Sequence, residues 1–235
     1  GMDKHLVTVE IENVNIEALE TLEEKGVKIF PQPRVLRTIK DKGIQKQFYT
    51  DFGIPTAPFK LYENANDIKD ANINYPVIQK MRTGGYDGKG VQLLKQPEDS
   101  FDAPNLCESL IDFDKELSII VARNENGDVQ CFPSVECEFN PEANLVEYLF
   151  SPANISQEIT SKANSIAKDL IQKLDMIGLL AVEFFLCKNG DLLVNEIAPR
   201  PHNSGHHTIE CCNTSQYAQH LRSILNLPLG RYQTA

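Results

Sequence analysis

The feature that most constrains this chain is Asn189-Gly190, set between two apolar runs. That dipeptide favours a two-residue type I′ turn, because both central residues need positive φ. Leu180–Cys187 and Asp191–Ile197 are then predicted to form an antiparallel hairpin in which Lys188 pairs with Asp191 and Glu183 with Glu196. Directly opposed residues on one face hold their Cβ atoms about 4.5–5.5 Å apart, and like charges placed so repel. A divalent ion held by oxygen relieves the repulsion, and magnesium bound with nucleotide phosphates needs only one or two protein carboxylates. The alternative is a solvated acidic face, which sits poorly with the neighbours Leu179, Ala181, Phe184 and Phe185. Asn195 falls on the face opposite Glu196 unless a bulge turns it.

A second signal lies upstream. Thr83-Gly84-Gly85-Tyr86-Asp87-Gly88-Lys89-Gly90 carries four glycines. Glycine lets backbone N–H groups approach a ligand with no Cβ in the way. Phosphate loops of the Walker and dinucleotide kinds run from strand into helix. Here Pro76–Met81 and Val91–Lys95 both read as strands, so the loop is predicted to fold over phosphates as a lid, with a plain surface hairpin as the bland alternative. Lys80, Arg82 and Lys89 surround it, and Lys80 ends its strand within reach of an α- or β-phosphate.

The third signal follows the acid-bearing strand. Ala198-Pro199-Arg200-Pro201-His202-Asn203-Ser204-Gly205-His206-His207 packs Arg, His, Asn and Ser into one loop, a site-like composition. Arg200 suits a transferring phosphoryl group or an anionic substrate. A rival reading makes His202, His206, His207, Cys211 and Cys212 zinc ligands, which requires a helix that Pro201 and Gly205 oppose.

Elsewhere the pattern is α+β. Leu6–Ile11, Ile16–Lys25 and Val27–Phe30 read as β-α-β, an edge fragment of a parallel sheet. Val35–Phe52 reads as one helix with Lys40, Lys42, Lys46 and Gln47 on polar faces, and Ile54–Pro58 as an extended connector. Asn126-Gly127 marks a hairpin, and Gln157–Asp175 is strongly amphipathic. Largely antiparallel sheets in two lobes are the expected architecture. With 235 residues and a net charge of −10, the chain is a poor partner for nucleic acid or anionic membrane. The longest apolar run, Met176–Val182, is far short of the roughly 20 residues that span a bilayer. The six cysteines show no C-x-x-C spacing and read as free thiols in a reducing, cytoplasmic setting. Gly1-Met2 reads as an expression scar.

Gly84–Gly90, Val182-Glu183-Phe184-Phe185 and Asn195–His206 together resemble the 5-(carboxyamino)imidazole ribonucleotide synthase family of ATP-grasp enzymes. Asp41-Lys42, Gly53–Pro58, Glu116-Leu117-Ser118, Thr214-Ser215-Gln216 and Leu227-Pro228-Leu229 extend the likeness over nearly the whole chain. The resemblance implies an ATP-grasp fold, two α+β lobes whose antiparallel sheets hold ATP between them. It divides the chain into residues 3–38, a remnant of an N-terminal α/β domain, and 39–230, the ATP-grasp domain. Within the latter the small lobe is about 58–110 and the large lobe about 111–230, and the family's C-terminal domain is absent. The implied activity is an ATP- and magnesium-dependent ligation in purine biosynthesis, in which bicarbonate becomes carboxyphosphate and its carboxyl passes to aminoimidazole ribonucleotide.

By position, the resemblance gives ATP contacts to Lys42, Lys80, Gly85, Tyr86, Asp87, Gly88, Lys89, Gly90, Val91, Asn195 and Glu196. Glu108, Ser109, Leu110 and Ile111 match a hinge that reads adenine by backbone, and Glu116 binds ribose. Magnesium falls to Glu183 and Glu196. Tyr86, Asp87, Arg200, His202 and Asn203 face the imidazole substrate, with Asp87, Arg200 and His202 as catalytic groups. The family often has His where this chain has Phe139, and its full-length members are commonly homodimers. Another ATP-grasp carboxylate–amine ligase, or a non-catalytic nucleotide- or zinc-binding module, are the alternatives.

Overall fold

Asn15 starts the first helix, its side chain accepting the Ala18 N–H at 2.8 Å. In the computed structural model, which describes residues 2–11, 13–85, 89–140 and 145–232, that helix is α1 (Ile16–Glu24). It joins two short parallel strands, β1 (Leu6–Thr8) and β2 (Lys28–Phe30), as the sequence predicts.

The predicted helix over Val35–Phe52 is instead two, α2 (Pro33–Lys40) and α3 (Lys42–Asp51). Asp41 sits extended between them, and its carboxylate accepts the N–H groups of Gly43 at 2.8 Å and Ile44 at 3.2 Å. A short acid that bonds nearby backbone N–H groups competes with helix continuation and caps the next helix instead. The same carboxylate receives Arg82 in a two-point contact, Nε at 3.0 Å and Nη2 at 2.8 Å. The entrance to the glycine-rich loop is thereby tied to the start of α3.

A four-stranded antiparallel sheet follows, from β3 (Phe59–Tyr62), β4 (Val77–Met81), β5 (Val91–Leu94) and β6 (Asn105–Ser109), in the order β3-β6-β4-β5. Helix α4 (Ala65–Lys69) helps close one face over Tyr62, Ile68, Val77, Leu94 and Cys107. Alternation puts Ile78, Lys80, Leu106 and Glu108 on the other face, with Ile78 opposite Glu108 and Lys80 opposite Leu106. Lys80 and Glu108 are therefore diagonal neighbours.

The larger sheet is built from β7 (Phe113–Arg123), β8 (Val129–Cys131), β9 (Val135–Asn140), β10 (Leu145–Phe150), β11 (Gly178–Cys187) and β12 (Leu192–Ala198). Its order is β10-β9-β7-β11-β12, with β8 beside β7 in the predicted hairpin. Helix α5 (Gln157–Lys173) buries Ala163, Ala167, Leu170 and Ile171 against Ile119, Val121, Leu180, Val182 and Val194. Ile120, Ala122, Leu179 and Ala181 line the opposite face. Both faces of β11 are covered, which explains its unbroken apolar run. Two further helices, α6 (Thr208–Cys211) and α7 (Gln216–Ile224), complete the described residues. Gly205 lies so close to Ile120 and Gln216 that a Cβ there would come within 2.6 Å of both.

Replacing Asp41 with Ala is expected to lower unfolding stability by about 2 kcal/mol, through loss of both the cap and the Arg82 pair. Asp41→Asn keeps an acceptor for the cap and is expected to lose about half as much. Chemical denaturation measures both, and an Ala variant as stable as wild type contradicts the capping role.

Candidate active site

The site begins at the acid-bearing hairpin. Glu183 pairs with Glu196 as the sequence predicts, but through two one-residue departures that cancel. The loop at the tip has three residues, Lys188-Asn189-Gly190, rather than two. The Cys187 N–H donates to the Asp191 carbonyl at 2.8 Å, and Gly190 closes the turn at φ +84°. Near the tip the pairs are Leu186 with Leu192, Phe185 with Leu193 and Phe184 with Val194, one residue off the predicted register. A bulge then inserts Asn195 as an extra residue and restores Glu183 opposite Glu196 and Val182 opposite Ile197. The bulge also corrects the expected direction of Asn195. Its Oδ1 accepts from Lys80 Nζ at 2.9 Å, on the cleft side.

Along the large sheet, the face opposite α5 changes character with distance from the core. Ile120, Ala122, Leu179 and Ala181 give way to Glu116, Ser118, Glu183 and Glu196 at the cleft, with Glu183 beside Ser118 and Phe185 beside Glu116 in register. Lys42, the first residue of α3, places Nζ 2.8 Å from Glu196 Oε1. Burial raises the Glu196 carboxyl, but Lys42 and Lys80 outweigh it and hold it below its ordinary value. Among the described residues no lysine or arginine forms an ion pair with Glu183, although Lys42 and Lys80 act on it from further away. Burial, then the charges of Glu196 and Glu116, push it up to about 7. Burial likewise pushes Glu116 to about 7, against the pull of Lys80.

His202 Nε2 lies 3.4 Å from Glu183 Oε1. Burial and the nearby Arg200 lower the imidazole to about 4, so it is neutral at pH 7. Its Nδ1 accepts the Ser204 N–H at 3.3 Å, which leaves the ring proton on Nε2, directed at Glu183. Ser204 Oγ in turn lies 2.8 Å from Ser118 Oγ. Gln216 clamps the His202 main chain through two hydrogen bonds of 2.9 and 2.8 Å. These contacts fix the loop after β12 against the sheet.

The small sheet and α3 contribute cations from across the cleft. Lys80 Nζ sits 2.9 Å from Glu108 Oε2, and Lys46 Nζ sits 2.7 Å from Glu108 Oε1. Lys46 was expected on a polar helix face; instead its side chain is only 3% exposed, at the junction of the lobes. Its Nζ also donates to Thr56 Oγ1 at 2.5 Å, and Thr56 Oγ1 donates to the Val194 carbonyl at 2.7 Å. Lys46 is the site residue that sequence reasoning missed. The available signal was its i, i+4 spacing from Lys42, which puts both cations on one face of α3. The Glu108 side chain is thus spent on lysines, while Ser109, the last residue of β6, and Leu110 are exposed and Ile111 is half-buried.

Beside Glu196 a cavity of about 510 Å³ opens between α1, α2 and the start of the glycine-rich loop, lined by Val14, Leu36, Ile39, Lys42, Arg82 and Gly85 among others. Gly90 and Val91 form the far side of that loop, where Gly90 carbonyl accepts the Met81 N–H and Val91 pairs with Lys80. Lys89 is exposed there. Tyr86, Asp87 and Gly88 lie outside the described residues. Arg200 is half-buried and donates to the Pro201 carbonyl at 2.9 Å, and Asn203 is exposed. Phe139 lies on β9 opposite Val146. The zinc reading finds no support, because His202 faces Glu183, His207 Nδ1 meets the Ser204 carbonyl at 3.0 Å, and His206 is exposed. Among the described residues, no three His, Cys, Asp or Glu side chains gather as a metal ion would need on protein ligands alone. Two opposed carboxylates fit magnesium completed by phosphate oxygens and water.

Strands from two sheets face one another across a lysine- and carboxylate-lined cleft, and residues 47–217 match the ATP-grasp domain family. The chain belongs to the ATP-grasp family. It is 37% identical to the N5-carboxyaminoimidazole ribonucleotide synthase of Bacillus subtilis, over 96% of this chain and 61% of that protein. The N5-carboxyaminoimidazole ribonucleotide synthetase structure from Thermotoga maritima is 38% identical, with a TM-score of 0.86 over 98% of this chain and 61% of that one. The N5-carboxyaminoimidazole synthase of Aspergillus clavatus, solved with ADP and 5-aminoimidazole ribonucleotide, is 32% identical, with a TM-score of 0.87 over 96% and 61%. The chain thus spans about three-fifths of the length of these relatives. Among the described residues no helix is long and apolar enough to cross a membrane.

The raised Glu183 carboxyl carries a stability signature. Between its ordinary value of 4.5 and about 7, the folded state binds more protons than the unfolded state, so stability falls as pH rises through that window. Glu183→Gln is expected to flatten part of this fall and to make the metal-free protein more stable than wild type at pH 8 by about 1–2 kcal/mol, allowing for solvent in the cleft. Denaturation at pH 5 and pH 8 checks it; identical pH slopes for the two proteins contradict a raised Glu183 carboxyl.

Proposed function

We propose that this chain is the nucleotide-binding core of a magnesium- and ATP-dependent ligase that carboxylates 5-aminoimidazole ribonucleotide. ATP would phosphorylate bicarbonate to carboxyphosphate, and the ribonucleotide amine would take the carboxyl group, leaving 5-(carboxyamino)imidazole ribonucleotide, ADP and phosphate. The observation that carries this reading is the convergence of Lys80 from the small sheet, Lys42 from α3 and the Glu183–Glu196 pair from the large sheet on one cleft. The likeness to synthases of N5-carboxyaminoimidazole ribonucleotide supports the choice of substrate.

In this reading Lys42 and Lys80 bind nucleotide phosphates, helped by backbone N–H groups of the Gly85–Val91 loop. The Ser109–Ile111 backbone reads the adenine edge, and Glu116 accepts hydrogen bonds from ribose hydroxyls. Glu183 and Glu196 would hold magnesium, which supplies positive charge against the negative charge building on the transferring phosphoryl group. Neutral His202 keeps Glu183 oriented through its Nε2–H. Arg200, two residues beyond the end of β12, would stabilise the anionic carboxyphosphate with its guanidinium. Tyr86, Asp87 and Asn203 complete the substrate side.

Release of ADP from magnesium, ATP and bicarbonate tests this directly. Stimulation by 5-aminoimidazole ribonucleotide is the expected result. Stimulation by a different amine instead would point to another ATP-grasp carboxylate–amine ligase. Absence of both turnover and saturable Mg–ATP binding would overturn the reading. Lys80→Ala is expected to weaken Mg–ATP binding at least ten-fold, measured by calorimetry, and an unaltered affinity would remove the phosphate role of Lys80.

A further inference from the structure

Lys46 lies at the junction of the lobes, and its side chain is 3% exposed. Its Nζ is 2.7 Å from Glu108 Oε1 and donates to Thr56 Oγ1, while Lys80 Nζ takes Glu108 Oε2 at 2.9 Å and Asn195 Oδ1 at 2.9 Å. One carboxylate is therefore shared between two ammonium groups, each on its own oxygen. The triad holds two positive charges and one negative. Glu108 stays ionised, since burial raises its carboxyl but Lys80 and Lys46 together draw it below its ordinary value. A lone buried Lys80–Glu108 pair would be neutral, and a neutral pair attracts an incoming phosphate far less than a net cation does in a weakly screened cleft. Among the described residues Lys80 Nζ meets two acceptors, and an ammonium carries three N–H donors.

We propose that Lys46 is a positioning residue for the nucleotide polyphosphate. It never meets the ligand, but by occupying half of Glu108 it leaves the triad with one unit of positive charge, which Lys80 presents to the cleft. The same ammonium is bonded to Thr56, whose hydroxyl donates to the Val194 carbonyl one residue before the bulged Asn195. Lys46 thereby joins α3, the connector after it, the small sheet and β12 at the point where Lys80 crosses between lobes. This rests on the nucleotide reading above and adds a residue outside the phosphate-contacting set.

The test compares Mg–ATP and adenosine affinities for wild type, Lys46→Met and the double variant Lys46→Met/Glu108→Gln. In Lys46→Met the triad loses its net charge, and Mg–ATP affinity is expected to fall ten-fold or more while adenosine, which lacks phosphates, binds as to wild type. In the double variant Lys80 alone carries the positive charge, and Mg–ATP affinity is expected to recover to within about three-fold of wild type, a rescue that a purely structural role does not produce. Lys46→Gln, which keeps a hydrogen-bond donor but no charge, carries the same expectation as Lys46→Met and replaces it should the methionine variant not fold. Wild-type affinity for Mg–ATP in the uncharged single variant overturns the inference, as does an equal loss for ATP and adenosine or a double variant no better than the single. If wild type itself binds no Mg–ATP, the nucleotide reading falls and this inference with it.

Discussion

Two carboxylates held face to face on adjacent strands repel, and the cleft is arranged around that repulsion. Glu183 and Glu196 are paired in register, yet they are not equivalent. Lys42 sits on Glu196 and keeps it ionised, whereas Glu183 has a neutral imidazole beside it, and burial with the nearby carboxylates outweighs Lys42 and Lys80 and pushes it up to about 7. One acid is therefore a settled anion and the other an anion in waiting. A divalent cation placed between them would convert the most unfavourable pair on the sheet into a ligand set. Strain of this kind is common where a fold keeps a site ready for charge it does not itself contain.

The lobes are joined by the same kind of economy. Lys80 reaches Asn195 on β12, Lys46 reaches Thr56, and Thr56 reaches Val194, so polar contacts from the small lobe and from α3 meet on two consecutive residues of one strand. The Val194 N–H also donates to the Pro55 carbonyl at 2.7 Å. That strand carries Glu196 next in line. The spacing between these lysines and the carboxylates of the large sheet is thus set by a short run of β12.

Much of this was legible in the residues. The amphipathic period of α5 and the strand pair β4–β5 that flanks the glycine-dense loop follow from spacing alone, and the opposition of the two glutamates was also predicted. The glutamate pairing held for a reason the sequence does not display. The tip loop takes three residues, and the Asn195 bulge compensates, because neither choice alters the apolar alternation on either side of it. Had only one occurred, Glu183 and Glu196 would have parted. The break at Asp41 was hidden because apolar spacing runs on through it, while the capping acid is a local competitor that periodicity does not register. Lys46 was hidden for a different reason. A lysine on a helix is normally read as solvated, and only the distant Glu108, brought in by the small sheet, makes its burial tolerable.

The most direct measurement is a titration of manganese, as a paramagnetic stand-in for magnesium, into the protein with ATP, followed by electron paramagnetic resonance. The wild-type chain is expected to bind one ion tightly in the presence of ATP, and Glu183→Gln/Glu196→Gln to lose that site while keeping its fold. Retention of the same manganese affinity by the double variant would contradict the assignment of the opposed glutamates as the metal ligands.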